Sequence, residues 1–190
     1  MNSKDKCYLC GLSGALKEIC LLDRKPEKEP DYGIDPREYK RRVYACLNCG
    51  AYNNFHDHDF GKMYSGKYSD IAYTEGILKR YESIRNLPFE ESINKQRIKR
   101  IADFCNSMRI DLKKATVLDV GSGSCVFLGE FLDYGIKAYC VEPDPGLVNH
   151  AVSNIGVKGT FSGSFVDYKS SMRFDIITFN KVLEHVKNPI

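Results

Sequence analysis

Short apolar runs alternate with amphipathic stretches along the carboxyl-terminal half of the chain. Val117 and Leu118 form one such run, which continues through the acid Asp119 to Val120, and the glycine-rich segment 121–124 follows directly. Apolar residues then recur with helical spacing over 126–131. Glycine is needed in such a turn where the backbone takes positive φ or approaches a ligand closely. The pattern predicts a strand, a tight turn and a helix, which together open a nucleotide-binding βαβ unit.

Further strands are predicted in the same half of the chain, at 138–142, 156–162 and 174–179. A helix is expected at about 145–154, where Asp144 can cap its first turn and Pro145 can occupy its first position. With the strand at 117–120, this gives a mostly parallel sheet of about four strands.

Two helical patterns precede the sheet, at 77–81 and 93–108, and Pro88 separates them. The second has an apolar stripe at steps close to a helical turn, made of Ile93, Ile98, Ile101, Phe104, Cys105 and Met108. Upstream of both, three tyrosines could line a lid over a ligand, although packing of the linker onto the main domain is the favoured interpretation: Tyr64, Tyr68 and Tyr73.

Composition is that of an ordinary globular protein, with 43% hydrophobic and 28% charged residues among 190. The formal net charge of +3 does not indicate a nucleic-acid-binding protein. No apolar run approaches the roughly 20 residues that span a membrane, and the first residues lack the apolar core of a signal peptide. We therefore expect no membrane partner and a cytoplasmic location.

Four of the eight cysteines form two CxxCG pairs, Cys7 with Cys10 and Cys46 with Cys49. Two such pairs can complete the closed four-thiolate site of structural zinc, which leaves no open position for catalysis. Disulfides or free thiols remain the alternative. The prolines between the pairs predict a loop there. His56 and His58 are expected to be solvated, because four cysteines already suffice.

The turn at 121–124 does not match the dinucleotide fingerprint GxGxxG, because position 126 is Val126. The acid before the turn, Asp119, instead suits a ligand that carries an ammonium group. Glu142 ends the next predicted strand about 20 residues after the first glycine, where an acid can accept hydrogen bonds from ribose hydroxyls.

The segments VLDVGSGSC, VEPDP and FDIITFNKVLEHVKNP resemble the class I S-adenosylmethionine-dependent methyltransferases, and in particular a subgroup with an LEHV helix. The resemblance covers about residues 95–190. One departure is that Cys125 stands where the family's loop has its third glycine. The resemblance implies S-adenosylmethionine as cofactor and implies that nine residues bind it: Asp119, Gly121, Ser122, Gly123, Glu142, Pro143, Ser164, Phe165 and Asn180.

Two further roles follow from the resemblance. Arg97 could reach the cofactor's carboxylate, although a solvated charged face is the simpler interpretation. His185 is the candidate general base, since imidazole titrates near neutrality. The pair Glu184-His185 recurs throughout the resembling subgroup, although the substrates of its members differ. A structural or cleft-shaping role for His185 is therefore the alternative.

A zinc ribbon before such a core resembles the zinc-binding domain of sugar and surface-polysaccharide methyltransferases, which implies a sugar or nucleotide-linked sugar as acceptor. An RNA or protein methyltransferase that docks through the ribbon is one alternative, although Lys40-Arg41-Arg42 is more typical of a solvated strand edge. A non-catalytic, zinc-stabilised interaction module is the other.

The predicted fold class is therefore α/β, a Rossmann-like but incomplete sheet with a small N-terminal zinc ribbon and a helical linker. Its expected domains are a ribbon-like module at 1–60, a linker or lid at 61–115 and a methyltransferase core at 116–190. The family fold has more strands than these four, so we expect the chain to be a fragment. Otherwise another chain or a homo-oligomer partner would cover the open edge.

Overall fold

A computed structural model of the chain describes residues 6–27, 34–56 and 76–186, with the side chain of Glu184 excepted. The tyrosines of the predicted lid and His58 lie outside these ranges. The chain forms two compact units, residues 1–63 with 183–190 and residues 64–182. Among the described residues, no helix combines the length and the apolar character that a membrane span requires.

The first unit contains an antiparallel sheet of three strands in the order β1 (Leu16–Leu22), β2 (Arg41–Cys46) and β3 (Tyr52–His56). The prediction of a loop between the cysteine pairs is therefore wrong at both of its ends, because β1 and most of β2 lie there. Polar and charged residues in these strands hid the pattern, since most of β1 faces solvent.

The second unit begins with two helices, α1 (Ile77–Arg85) and α2 (Ile93–Ser107). The predicted apolar stripe of α2 is only partly correct. Its buried residues are Ile98, Ala102 and Cys105, whereas three members of the stripe are 59–61% exposed: Ile93, Phe104 and Met108.

The main sheet of the second unit has four parallel strands, as predicted, and their order is β6-β5-β4-β7. The strands are β4 (Thr116–Val120), β5 (Lys137–Glu142), β6 (Gly159–Ser162) and β7 (Ile176–Phe179). The third strand starts later than expected, because Gly156 has positive φ and ends the preceding helix. Non-consecutive strand neighbours and parallel pairing confirm the Rossmann-like class.

Two crossover helices connect these strands, α3 (Val126–Leu132) and α4 (Pro145–His150), and a π-helical turn at Ala151–Ile155 extends α4. The side chains between α3 and the sheet are fully buried, and Val117, Leu128 and Phe131 are each 0% exposed. A rigid core at this place holds the carboxyl ends of β4 and β5, where open α/β sheets bind their ligands.

Candidate cofactor site and metal centre

In the turn after β4, three alternate positions take left-handed backbone conformations. Gly121, Gly123 and Cys125 have φ of 68°, 54° and 58°. A side chain at Gly121 would also collide with Val182, whose Cγ2 would lie 2.5 Å from an added Cβ. The Gly121 N–H donates to the Val141 carbonyl at 2.8 Å, which fixes the start of the turn against β5.

Cys125 takes the third position of the turn as a non-glycine residue in the left-handed region, where it precedes α3. Its side chain is fully buried and belongs to the core cluster that includes Phe127 and Phe131. The neighbouring Cys140 thiol and burial both raise the pKa of Cys125, so it remains a neutral thiol. The cysteine that replaces the third glycine therefore packs into the core.

Asp119 lies in β4 and is 1% exposed. Its Oδ1 accepts a hydrogen bond from Thr178 Oγ1 at 2.6 Å and another from Asn180 Nδ2 at 3.2 Å. Burial raises the pKa of Asp119 to about 7, even though these two hydrogen bonds act in the opposite direction. A cationic ligand beside this carboxylate would stabilise its ionised form, which burial disfavours.

Glu142 ends β5 and joins the two turns that follow β4 and β5. Its Oε2 accepts the Gly123 N–H at 2.9 Å, and its Oε1 accepts the Asp144 N–H at 3.1 Å. Burial raises the pKa of Glu142. Each carboxylate oxygen has a second lone-pair site, so the side chain can hold the glycine turn and still accept hydroxyl groups of a ligand.

The turn after Glu142 leads directly into α4. Pro143 is exposed, and Asp144 accepts the N–H groups of Gly146 and Leu147 at 2.8 and 3.2 Å. Asp144 thus caps the helix, and Pro145 stands in its first turn, as the sequence predicts.

The candidate adenine neighbours lie after β6. The Gly163 N–H donates to the Glu142 carbonyl at 3.0 Å, which ties this segment to the end of β5. Ser164 is exposed and begins a short 3-10 turn. The ring of Phe165 is 37% exposed and meets the ring of Phe179 edge-on at 5.0 Å. Their contact with adenine stays a prediction.

Thr178 is a residue of this site that the sequence did not identify. The register of β4 and β7 places Asp119 opposite Thr178. That pairing depends on the order of the strands in the sheet, which a single strand pattern does not contain. A hydroxyl residue within the apolar strand predicted at 174–179 was the feature of the sequence that could have identified Thr178.

An open groove of about 620 Å³ lies between α2 and β7, the strand at the edge among the described strands of this sheet. The groove is lined by Arg97 together with Thr178 and Asn180, the two donors to Asp119. The charge of Arg97 contributes to lowering the pKa of Asp119 against the larger effect of burial. This placement supports Arg97 as the candidate partner of a cofactor carboxylate, which stays a prediction.

His185 lies in the 3-10 turn Leu183–His185, which groups with the first unit. Its assignment as general base therefore stays a prediction.

The two CxxCG pairs meet in the first unit. The Sγ atoms of Cys7, Cys10, Cys46 and Cys49 all lie within 4.8 Å of one another. Cys7 Sγ is 3.7 Å from Cys49 Sγ, and Cys10 Sγ is 3.7 Å from Cys46 Sγ. A tetrahedral zinc with bonds of about 2.3 Å places its sulfurs about 3.8 Å apart, so the cluster fits this ion.

Two thiols of the cluster differ in their tendency to ionise. Burial acts to raise the pKa of Cys7, but the backbone N–H groups of Cys10 and Leu9 and the Asn53 amide lower it to about 6. The Ala51 N–H acts to lower the pKa of Cys49, but burial and the other thiols raise it to about 12. The pKa values of Cys7 and Cys49 are thus shifted in opposite directions, and a divalent cation bound to both sulfurs would stabilise both as thiolates.

The backbone of each CxxCG pair returns on itself at its glycine. Gly11 and Gly50 have φ of 72° and 73°, and their N–H groups donate to the carbonyls of Cys7 and Cys46 at 2.9 Å. His56 is not part of the cysteine cluster in the described part of the chain.

Several solved structures are similar to part of the chain. One is PH1948 from Pyrococcus horikoshii, a candidate RNA methyltransferase by name, with 29% identity, 43% of this chain and 41% of that chain covered and a TM-score of 0.36. Another is coclaurine N-methyltransferase bound to N-methylheliamine and SAH, with 13% identity, 60% and 38% covered and a TM-score of 0.40.

A third is the plantazolicin methyltransferase BpumL in complex with SAH, with 11% identity, 60% and 53% covered and a TM-score of 0.33. The chain thus spans between 38% and 53% of the length of these three proteins. Comparison with curated proteins gives no match.

A family model described as a methyltransferase domain matches residues 93–190, more than half of the chain. This match contains both buried carboxylates and the glycine turn between them, and the chain therefore belongs to the methyltransferase domain family.

Proposed function

We propose that the chain binds S-adenosylmethionine at the Asp119–Glu142 site and takes part in methylating a small-molecule acceptor. One observation carries the proposal: two buried carboxylates stand at the carboxyl ends of adjacent parallel strands, beside a turn of left-handed residues. Ligands of open α/β sheets bind at such ends.

Asp119 would hold the cofactor's ammonium group, and Glu142 would accept hydrogen bonds from its ribose hydroxyls. When bound, S-adenosylmethionine supplies an electrophilic methyl group on a sulfonium. The residues of this site orient that group toward the acceptor and exclude water. The acceptor must lose a proton as it gains the methyl group, and His185 is the residue that we propose for removing it.

The acceptor that we propose is a sugar or a nucleotide-linked sugar. Support comes from the four-cysteine module joined to an LEHV-type core, a combination that resembles the sugar and surface-polysaccharide methyltransferases. We propose the corresponding division into domains at 1–60, 61–115 and 116–190. Location in the cytoplasm and pairing with a second copy at the β7 edge of the sheet belong to the same proposal.

We also propose that the four-cysteine cluster binds structural zinc. The two S–S distances of 3.7 Å match an edge of a tetrahedral site. Cys7 and Cys46 are also two of the three buried residues in the core cluster of the ribbon. The ion would therefore hold together a core cluster in which Ala15 is the one further buried residue among the described residues.

Equilibrium dialysis of the zinc-loaded chain with labelled S-adenosylmethionine tests the cofactor proposal. We expect saturable binding that S-adenosylhomocysteine displaces, at least tenfold weaker in Glu142→Ala and unchanged in Glu82→Ala, an exposed acid on α1. A chain with cooperative unfolding and no binding would overturn the proposal and favour a non-catalytic module.

The acceptor is tested separately, by transfer of labelled methyl groups to nucleotide-linked sugars and to RNA. Label in the sugar fraction is the expected result. Label in RNA alone would overturn the small-molecule acceptor and leave the cofactor proposal intact.

A further inference from the structure

Asn53 is one of the few polar residues buried in the ribbon. It lies in the middle of β3 and is 3% exposed, whereas its neighbour Asn54 on the same strand faces solvent. A buried amide is costly unless its donors and its acceptor all find partners, so the contacts of Asn53 identify its role.

The amide of Asn53 has a partner for each of its polar groups. Its Oδ1 accepts the Tyr8 N–H at 2.8 Å. Its Nδ2 donates to the Ala51 carbonyl at 3.1 Å and to Cys7 Sγ at 3.5 Å. With two donors and one acceptor engaged, the side chain has one orientation that satisfies it.

These contacts connect the two cysteine pairs. Cys7 is the first cysteine of the first pair, and Tyr8 lies between its two cysteines. Ala51 and β3 follow the second pair. Asn53 therefore holds the first pair at a fixed place beside the second, and its N–H points at a sulfur of the cluster.

We propose that Asn53 is a positioning residue for the metal, which fixes Cys7 and donates a hydrogen bond to its sulfur when zinc is bound. The inference rests on the zinc proposal above. Four thiolates give a zinc site an excess of negative charge, and an N–H group directed at one sulfur offsets part of it. Groups that hold metal ligands in this way commonly contribute about 10- to 100-fold to metal affinity.

A purely structural role for Asn53, through Tyr8 and Ala51 alone, could change how firmly the zinc is held but would leave the electron density on the Cys7 sulfur unchanged. Two measurements on the full chain separate the roles. The first is the rate at which zinc passes to a chromogenic chelator. The second is the energy of the thiolate-to-metal charge-transfer band after cobalt is substituted for zinc.

Asn53→Ala removes the donor, and Asn53→Asp replaces it with a negative charge. Asn54→Ala and Asn54→Asp are matched controls one residue away on the exposed face. We expect both Asn53 variants to release zinc at least tenfold faster and the Asn54 variants to stay within twofold of the wild type. The cobalt band should move to longer wavelength in Asn53→Ala, because the sulfur lone pair loses its hydrogen bond.

Release at the wild-type rate in both Asn53 variants would overturn the inference. Faster release with an unmoved cobalt band would also overturn it and leave only the structural role. A wild-type chain that holds no zinc would overturn the zinc proposal as well. None of these results depends on cofactor binding, which is measured separately by dialysis.

Discussion

At the scale of single residues, Asp119 is the most consequential group of the candidate site. It is 1% exposed, and burial raises its pKa from 3.8 to about 7. Over that interval of pH the unfolded chain loses the Asp119 proton while the folded chain keeps it. Folding therefore becomes less favourable as pH rises, and the full penalty is present above about pH 7.

Asp119→Asn should remove this penalty, because an amide oxygen can accept from Thr178 and Asn180 as the carboxylate does. A shift of about three pKa units corresponds to on the order of 4 kcal/mol. We expect the advantage of the variant in free energy of unfolding to grow by about 2–3 kcal/mol between pH 5 and pH 8. Urea denaturation at both pH values measures it, and parallel pH profiles would contradict it.

Cys125 supports a second prediction. Its thiol is buried in the core and its backbone has φ of 58°, so glycine would relieve about 1–2 kcal/mol of backbone strain while it removes buried contacts. Because the thiol packs into the core, Cys125→Gly should leave the dissociation constant of S-adenosylmethionine within about twofold of the wild-type value. A tenfold change would show that the thiol affects the cofactor surface.

At the scale of elements, α1 is attached to α3 by a partly buried ion pair. Arg85 Nη1 lies 2.6 Å from Glu130 Oε2, and the two side chains are only 19% and 7% exposed. Arg85 also pairs with Asp133 at 2.8 Å. Nearby, Tyr81 packs against Gly129, where any added Cβ would meet its hydroxyl.

Arg85→Met should leave the Glu130 carboxylate buried without its cation. Removing one member of a buried pair costs about 3–5 kcal/mol, and the partial exposure of Arg85 places the expected loss near 3 kcal/mol. Arg80→Met, at an exposed position of the same helix, is the control. The two midpoints of urea unfolding give the comparison, and equal midpoints would refute the role of the pair.

Some features of the elements could be predicted from the sequence, and others depend on how the strands pair. Asp119, Glu142 and the glycine turn could be predicted, because they stand at fixed places after apolar strands. The contact of Thr178 with Asp119 could not, since it depends on which strand lies beside β4. The strands of the ribbon were missed because a sheet with little core leaves no strong alternation of apolar residues.

At the scale of the whole molecule, the two units have cores of different kinds. The core clusters of the second unit are built from strands and helices. The core cluster of the ribbon consists of Cys7, Ala15 and Cys46, and Tyr39 and Phe55 are buried outside this cluster. Chelation of zinc should therefore remove hydrogen-exchange protection from β1, β2 and β3 and leave protection in β4 and β5. Unchanged protection in the ribbon after complete metal removal would argue against a structural ion.

The central claim is that Asp119 and Glu142 form the cofactor site. Its most direct test is calorimetric titration with S-adenosylmethionine at pH 6.5, repeated in two buffers of different ionisation enthalpy. Because burial raises the pKa of Asp119 to about 7, its protonated form is well populated at this pH, and pairing with an ammonium group would ionise it. The account predicts that cofactor binding releases a measurable fraction of a proton from the wild-type chain and none from Asp119→Asn. Binding without proton release, or equal release in the variant, would contradict it.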